Sequence, residues 1–337
     1  MKLEKVYRMA VELGISKDPR GKEEIGRVLD DARREYDGLK GDKKRFFDKE
    51  RLTNPFADTR ILFGDPDLEV RSIMVGIDVE TPELILVDRL RDRGKKIDLC
   101  ISHHPEGRAL ASLADVMSVH ADVWAGYGVP VNIGEALIGE RIEEVRRGLM
   151  PQNHQRPIDC ARLLDVPFMC VHTPADNLVT DYLNRMLGRA KPRLVRDVVD
   201  ALLKQEEYRD ASVRGMGPTV LVGDAKNRAG KVLVDMTGGT GGPDSAIEKL
   251  AQAGVGTIVG MHMGEKLRKE AGKQHINVVI AGHMASDSIG FNLFLDELQK
   301  KGVKSTAFSG LIRVSRVKAG KKSSGKTSAK KKSAKKK

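Results

Sequence analysis

Short runs of apolar residues alternate with amphipathic stretches along most of the chain after residue 70. Runs of this length are typical of buried strands, whereas apolar positions that recur every three or four residues predict helices. The predicted strands are RSIMVGID, IDLCISHHP, VPFMCVH, TVLVGD, KVLVDM, GTIVGM and NVVIAG, and the segment LIRVSRV predicts a closing edge strand. This alternation favours an α/β fold with mostly parallel sheets and helices on both faces.

The chain divides into four segments that differ in composition and in the spacing of their apolar residues. Residues 1–52 predict an N-terminal helical extension, because apolar residues recur there at helical spacing. Residues 53–210 predict a first α/β domain with a helical insertion, and residues 211–317 predict a second α/β domain. Residues 318–337 are rich in lysine and of low complexity, so we expect a disordered tail that cannot bury enough apolar surface to fold.

The net charge of the chain is +12, but ten lysines of the tail account for most of it, and without them the charge falls to +2. A nearly neutral folded part lacks the basic surface that nucleic-acid binding requires. The tail itself is expected to be a solubilising end with no partner. Weak, non-specific binding of nucleic acid by its lysines is the alternative.

Three cysteines without a C-x-x-C motif are typical of a protein from a reducing compartment and argue against a zinc ribbon. The N-terminal sequence carries charges among its apolar positions, and the chain has no apolar run long enough to span a bilayer. We therefore expect a cytoplasmic protein with no signal peptide and no contact with a membrane.

Two adjacent histidines, His103 and His104, stand at the carboxyl end of a predicted strand, directly before Pro105. Open α/β sheets place their ligand sites at such ends. Neighbouring side chains on a strand point to opposite faces, but both imidazoles can face one cleft where the chain turns out of the strand. The pair is a candidate metal site, and a loop pair without a role is the alternative.

Two further segments carry a histidine and an aspartate four residues apart, directly after an apolar strand. They are His172 with Asp176, and His283 with Asp287. If a helix has begun at that point, this spacing places both side chains on one face. The alternative is that each aspartate binds no metal and that its carboxylate only stabilises the positive N-terminal end of a helix.

Besides His172, these segments offer three imidazoles and two carboxylates. This donor set suits Zn²⁺, Fe²⁺, Mn²⁺, Co²⁺ or Ni²⁺, because imidazole is a poor ligand for Mg²⁺ and Ca²⁺. Five ligands exceed the number that a single tetrahedral zinc ion needs. The set is therefore better suited to two divalent transition-metal ions that share a carboxylate.

A glycine-rich loop, TGGTGGPD, lies between the predicted strand KVLVDM and a helix that opens near Pro243. Its glycines, Gly238, Gly239, Gly241 and Gly242, allow backbone N–H groups to approach an anion. The pattern is neither a Walker A motif nor a dinucleotide fingerprint, and a plain tight turn is the alternative. If the loop reaches the metal edge, it is a candidate binding site for a substrate phosphate.

The order of these motifs resembles that of the NIF-three-like dinuclear metal-centre proteins, which are often labelled type-two GTP cyclohydrolase I. The resemblance covers about residues 53–317. Its segments are RILFGD at 60–65, VGID at 75–78, ISHHP at 101–105, HTPAD at 172–176 and GHMASD at 282–287.

The resemblance implies a two-domain α/β protomer that assembles into a ring-shaped homohexamer, with two metal ions per protomer facing an internal cavity. It implies bridging carboxylates and five metal ligands, which map onto His103, His104, Asp176, His283 and Asp287. The reaction implied is hydrolysis of a nucleotide such as GTP. Because His172 lies outside that ligand set and near Asp176, we expect it to shuttle protons.

The chain departs from the family pattern at three places. The last ligand is usually glutamate, whereas Asp287 is one methylene shorter. The family's T-G-E near the glycine-rich loop is Thr237-Gly238-Gly239 here, without the carboxylate. The stretch between ISHHP and HTPAD is longer than in the family and predicts an added helix around 133–150.

Two functions are consistent with these observations. The first is a metal-dependent hydrolase that acts on a nucleotide or a related small molecule. The alternative is a non-catalytic metal-binding scaffold or regulatory interaction protein, in which bound metal stabilises the assembly.

Overall fold

The structure is a computed structural model that describes residues 1–317. The predicted disordered tail, residues 318–337, lies outside the described residues. None of the helices within residues 1–317 is both long and apolar enough to cross a membrane. The α-helices are α1 (Leu3–Lys17), α2 (Gly21–Gly38), α3 (Asp42–Phe46), α4 (Thr81–Asp92), α5 (Gly107–Ala111), α6 (Val119–Gly126), α7 (Val131–Leu149), α8 (Arg156–Leu163), α9 (Thr173–Ala190), α10 (Val195–Leu202), α11 (Glu206–Val213), α12 (Ser245–Gln252), α13 (Glu265–Lys273) and α14 (His283–Lys300).

Two sheets with surrounding helices confirm the predicted α/β fold. The strands are β1 (Arg60–Phe63), β2 (Ser72–Gly76), β3 (Leu99–Ser102), β4 (Phe168–Cys170), β5 (Thr219–Val222), β6 (Lys231–Asp235), β7 (Val255–Gly260), β8 (Asn277–Ile280) and β9 (Lys304–Ala307). The first sheet has the order β1-β4-β3-β2-β9, and the second has the order β5-β8-β7-β6. Both are parallel except at one edge, where β1 runs antiparallel to β4 and β5 runs antiparallel to β8.

The N-terminal helical extension is confirmed as well, and it packs against the first sheet. Leu3 and Val6 of α1 are buried in the same hydrophobic cluster as residues of β2 and β3. The buried Arg60 of β1 pairs with two carboxylates of the extension, Asp48 at 2.6 Å and Glu50 at 2.9 Å. A buried cation strongly favours such partners, so the extension is joined to the sheet by charge as well as by apolar packing.

Helices α9 and α14 form the central layer, because each contributes side chains to the cores of both sheets. Leu178 of α9 and Phe291 of α14 belong to the cluster under the first sheet. Val179 of α9 and Ile289 of α14 belong to the cluster under the second sheet. The two helices therefore hold the sheets together.

The two central helices cross at a contact that only glycine permits. A Cβ atom at Gly290 of α14 would stand 2.1 Å from the backbone carbonyl oxygen of Ala175 in α9. Because interiors are close-packed and backbone atoms yield little, a larger residue would push the helices apart. This close crossing brings the N-terminal parts of both helices together, and those parts carry Asp176 in α9 and Asp287 in α14.

The predicted edge strand LIRVSRV is wrong. The strand at this edge is β9, which lies parallel to β2, and residues 311–317 form no strand. The N–H of Ile312 donates to the Ser288 hydroxyl, and the N–H of Arg316 donates to the Asp296 carboxylate. Side chains of α14 thus accept the hydrogen bonds that a neighbouring strand would accept. The domain boundary at residue 210 stays a prediction, and β9 returns to the first sheet from beyond it.

Candidate metal centre

Three strand ends supply the histidines of the candidate site. β3 leads into His103 and His104, β4 is followed by His172, and β8 is followed by His283. The strand residues before them are mostly buried and apolar, so the polar side chains begin where each strand leaves its sheet. Helix α9 begins at Thr173, directly after His172, and helix α14 begins at His283, so both histidine–aspartate pairs lie at the N-terminal end of a helix.

The structure brings all five predicted ligands together around the carboxylate of Asp287. Its Oδ1 atom lies 3.5 Å from Nε2 of His103. Its Oδ2 atom lies 3.5 Å from Nε2 of His104 and 3.5 Å from Nε2 of His283. Oδ1 of Asp176 lies 3.4 Å from Nε2 of His103. The two oxygens of Asp287 thus face different imidazoles.

Four atoms at this centre are buried and have no hydrogen-bond partner within residues 1–317. They are Nε2 of His103, Oδ1 of Asp176 and both carboxylate oxygens of Asp287. Buried polar atoms almost always have a partner, so this convergence of lone pairs fits a cation. Three sets of donor atoms, each within 4.8 Å of one another, could hold a metal ion. The sets are His103/His104/His172, His104/His283/Asp287 and His103/Asp176/Asp287.

Hydrogen bonds to the outer nitrogens orient the adjacent histidines. Nδ1 of His103 donates to the carbonyl of Val171 at 3.1 Å, and Nδ1 of His104 donates to the carboxylate of Asp78 at 2.6 Å. A carbonyl and an ionised carboxylate only accept, so Nδ1 carries the hydrogen in both rings. When the rings are neutral, the form that binds metals, their Nε2 lone pairs are therefore directed toward the centre.

His172 lies closer to the ligand set than its prediction as a separate proton shuttle implied. Its Nδ1 atom donates to Asp58 at 2.8 Å, and its Nε2 atom lies 3.8 Å from Oδ2 of Asp176. Nε2 also belongs to the donor set that includes His103 and His104. The geometry is compatible with a ligand as well as with a proton shuttle, and the shuttle role stays a prediction.

Two carboxylates that orient the site were missed as functional residues in the sequence. The fully buried Asp58 accepts hydrogen bonds from His172 and from the Thr173 hydroxyl, 114 and 115 residues away along the chain. No local pattern marks Asp58. Asp78 follows the end of β2 within the VGID segment, so the strand-end position that singled out His103 was a usable signal for it as well.

Burial and neighbouring charges oppose each other at the centre. Burial raises the pKa of the Asp287 carboxyl, but the nearby His103 and His104 outweigh it and hold this pKa well below its ordinary value. Burial lowers the pKa of His103, but Asp287 and Asp176 outweigh it and raise this pKa well above its ordinary value. Burial prevails at His283 and lowers its pKa. The centre therefore favours an ionised Asp287, the form that binds a cation.

The glycine-rich loop forms one wall of a cavity beside the centre. Gly239 and Gly241 line this cavity together with Asp176, His283 and Asp287. The structure thus places the loop next to the candidate ligands, the position that a substrate site on this loop needs. Binding of a phosphate by the loop stays a prediction.

Close packing, besides the approach of an anion, explains why three of the four positions in the glycine-rich loop are glycine. A Cβ atom at Gly238 would stand 2.5 Å from Nε2 of His120. At Gly239 and Gly242 a Cβ atom would stand 2.9 and 2.8 Å from side chains in residues 113–126. The loop therefore lets this helical segment approach the cavity, and His120 becomes part of the cavity wall.

Glu106, just beyond the paired histidines, should make the stability of the protein fall with rising pH. Burial raises its pKa to about 7, and repulsion from Glu80 adds to the shift. The native state then holds a proton more tightly than the unfolded chain, so the free energy of unfolding decreases between the two pKa values, from about pH 4.5 to pH 7. We expect Glu106→Gln to raise that free energy by about 1–2 kcal/mol at pH 8, after allowance for solvent screening, and to change it little at pH 4.5.

Urea unfolding of both proteins at the two pH values measures this difference. Glu140→Gln, at an exposed position of α7, is the control and should have little effect at either pH. Equal stability of the wild type and Glu106→Gln at pH 8 would contradict the prediction.

Comparison with known proteins gives matches to solved structures. No model of a known protein family matches the sequence, and no curated protein matches it. The crystal structure of a NIF3 superfamily protein from Sphaerobacter thermophilus is similar, with a TM-score of 0.67 and 26% identity, over 77% of this chain and 94% of that one. Reduced HcgD from Methanocaldococcus jannaschii has the same fold, with a TM-score of 0.50 and 14% identity, over 79% of this chain and 94% of that one.

Proposed function

Since the chain belongs to the NIF3-like family, we propose that it holds two divalent transition-metal ions between α9 and α14 and hydrolyses a nucleotide or a related small molecule there. The ligands in this proposal are His103, His104, Asp176, His283 and Asp287. Imidazole together with carboxylate suits Zn²⁺, Fe²⁺, Mn²⁺, Co²⁺ or Ni²⁺. A bound pair of such ions supplies electrophilic activation of the substrate and of water.

The observation that carries the proposal is the environment of Asp287. Both of its oxygens are buried without a hydrogen-bond partner among the described residues, and they face different imidazoles. A carboxylate with this arrangement is suited to bridging two cations. A purely structural role for Asp287 is disfavoured. Burying two carboxylate oxygens without hydrogen-bond partners costs folding free energy unless a cation compensates their charge.

The residues around the centre would orient the substrate and move a proton. The hydrogen bond from Nδ1 of His172 to Asp58 leaves Nε2 as the atom that takes up or releases a proton beside Asp176. The backbone of the glycine-rich loop, at Gly239 and Gly241, would hold an anionic part of the substrate. GTP, the substrate that the family resemblance implies, is the first nucleotide to test.

Assembly into a homohexamer and the division into domains at residues 53–210 and 211–317 are further parts of the proposal. The family resemblance supports both. Light scattering of the full chain measures the mass of the assembly, and a mass other than six protomers would exclude the hexamer.

Elemental analysis of the purified full chain tests the metal centre directly. We expect about two equivalents of transition metal per chain, and we expect chelation to lower the melting temperature because bound metal stabilises only the folded state. A content below one equivalent after incubation with Zn²⁺, Mn²⁺ or Co²⁺ would contradict the proposal.

Turnover of a nucleotide panel by the metal-loaded wild type and His104→Ala tests the hydrolase part. We expect the wild type to release phosphate, formate or nucleoside from a nucleotide, and we expect His104→Ala to release none of them. Bound metal with equal or no turnover in both proteins would exclude the hydrolase and favour the non-catalytic scaffold.

A further inference from the structure

We propose that Asp235 forms a second recognition point in the same cavity, which binds a protonated amine of the substrate while an oxyanion group of the substrate lies at the metal centre. The inference rests on the proposed function, since it needs the cavity to be a substrate site. Of the substrates in that proposal it selects the related small molecules over GTP, whose base amine is uncharged at neutral pH. The class is a small molecule with an oxyanion at one end and a protonated amine at the other.

Asp235 lies at a strand end that faces the same cavity as the candidate ligands. It is the last residue of β6 and pairs with Gly260 at the end of β7. β7 in turn lies beside β8, which leads to His283. Neighbouring strands are about 4.8 Å apart, so about 10 Å separates the ends of β6 and β8. Asp235 and His283 both line the cavity, so a short molecule can contact both ends.

The Asp235 carboxylate has no donor of its own in the part of the chain that the structure describes. No side chain or backbone N–H within residues 1–317 donates a hydrogen bond to it, and its side chain is 32% exposed. The nearest ring atom is Nδ1 of His120, 4.0 Å away. Nε2 of the same ring donates to the carbonyl of Thr240 at 2.9 Å. In a neutral ring the hydrogen is then on Nε2, and Nδ1 offers Asp235 only a lone pair.

His120 is held in this orientation and does not turn freely. Its side chain is only 2% exposed, and it lies against the ring of Trp124 and in the space that the absent side chain of Gly238 leaves. The negative charge of Asp235 therefore remains available to a ligand. An ionised carboxylate that accepts a hydrogen bond from a cation forms one of the stronger polar contacts in proteins.

The remaining walls suit a short carbon chain between two polar ends. Met236 and Met261 line the cavity together with Asp235, and methionine adapts to apolar groups of varied shape. With metal bound, the cavity would be cationic at the ligand set and anionic at Asp235. A molecule with an anionic group at one end and a cationic group at the other complements both charges, whereas a simple dianion interacts favourably only with the metal centre.

Isothermal titration calorimetry of the zinc-loaded full chain tests the proposal, because it measures the affinity for each member of a pair of probes. The pairs are ethyl-, propyl- and butylphosphonate against the same molecules with a terminal amine. We expect the amine to strengthen binding about tenfold or more for at least one chain length. Asp235→Asn should remove this preference but retain binding of the plain phosphonate, whereas Asp200→Asn, at an exposed position of α10, should keep the preference.

The outcomes separate this inference from the function on which it rests. Phosphonate binding without an amine preference at any length would overturn the role of Asp235 and leave the metal centre intact. Failure of every probe to bind the zinc-loaded chain would overturn this inference as well, whereas the zinc content of the same sample decides separately on the metal centre. If Asp235→Asn does not fold, Asp235→Ser takes its place, and the comparison of probes on the wild type alone can already refute the proposal.

Discussion

Replacing Asp287 with alanine is expected to lower the affinity of the protein for Zn²⁺ by more than about a hundredfold, since even the loss of a residue that only supports a ligand can cost this much. Asp287 is the common neighbour of the candidate ligands, with one oxygen toward His103 and the other toward His104 and His283. Its loss would remove a donor from two of the three possible metal sets. Competition with a chromophoric chelator measures the affinity, and elemental analysis measures the number of ions.

Asp200→Ala is the matched control, because it removes an exposed carboxylate of α10 that belongs to none of the three possible metal sets. It should bind Zn²⁺ like the wild type. Circular dichroism of the metal-free Asp287→Ala protein is expected to show a folded chain, because the variant removes two buried oxygens that have no hydrogen-bond partner in residues 1–317. Undiminished affinity and stoichiometry in a folded Asp287→Ala protein would exclude the carboxylate as a bridging ligand.

Gly290→Ala is expected to lower the free energy of unfolding by about 3 kcal/mol and to weaken metal binding at the same time. The new methyl group would stand 2.1 Å from the carbonyl oxygen of Ala175, and a backbone atom cannot rotate away as a side chain can. The helices would have to separate, and Asp176 and Asp287 lie one on each of them. Chemical denaturation and zinc titration of the same variant measure both effects.

Gly188→Ala serves as the control for the change of residue type. Gly188 lies in α9, and a Cβ atom there would have no heavy atom within 4 Å. Alanine stabilises a helix interior by up to about 1 kcal/mol relative to glycine, so this variant should be as stable as the wild type or more so. A Gly290→Ala protein with the stability and zinc affinity of Gly188→Ala would show that the helix crossing does not set the site.

The strand-end positions made much of the candidate site predictable. His103, Asp176 and His283 follow apolar runs, and parallel sheets gather the carboxyl ends of their strands at one edge. The motif order then connected residues that are far apart in the sequence. The same reasoning extends to Asp78, which follows β2 and holds His104, although the sequence analysis assigned it no role.

Other contacts of the site and the fold could not be predicted from the local sequence, because they arise only from tertiary packing. Asp58 reaches His172 from a loop before β1, and nothing about its neighbours in the sequence distinguishes it from an exposed aspartate. The segment LIRVSRV has the alternation of an edge strand, yet Ser288 and Asp296 of α14 accept its N–H groups instead. The alternation of apolar and polar residues cannot reveal which hydrogen-bond acceptors lie within reach of these N–H groups.

The way the first 52 residues are attached has a consequence for shortened versions of this protein. A chain trimmed to the shared motifs would begin near residue 53, and it would lose Asp48 and Glu50, the ion-pair partners of Arg60. It would also lose Leu3 and Val6 of α1 and so expose part of the hydrophobic cluster of the first sheet. Newly exposed apolar surface of this kind promotes aggregation. Trimming there is thus expected to yield an insoluble product, and the leading helices should be retained in any recombinant design.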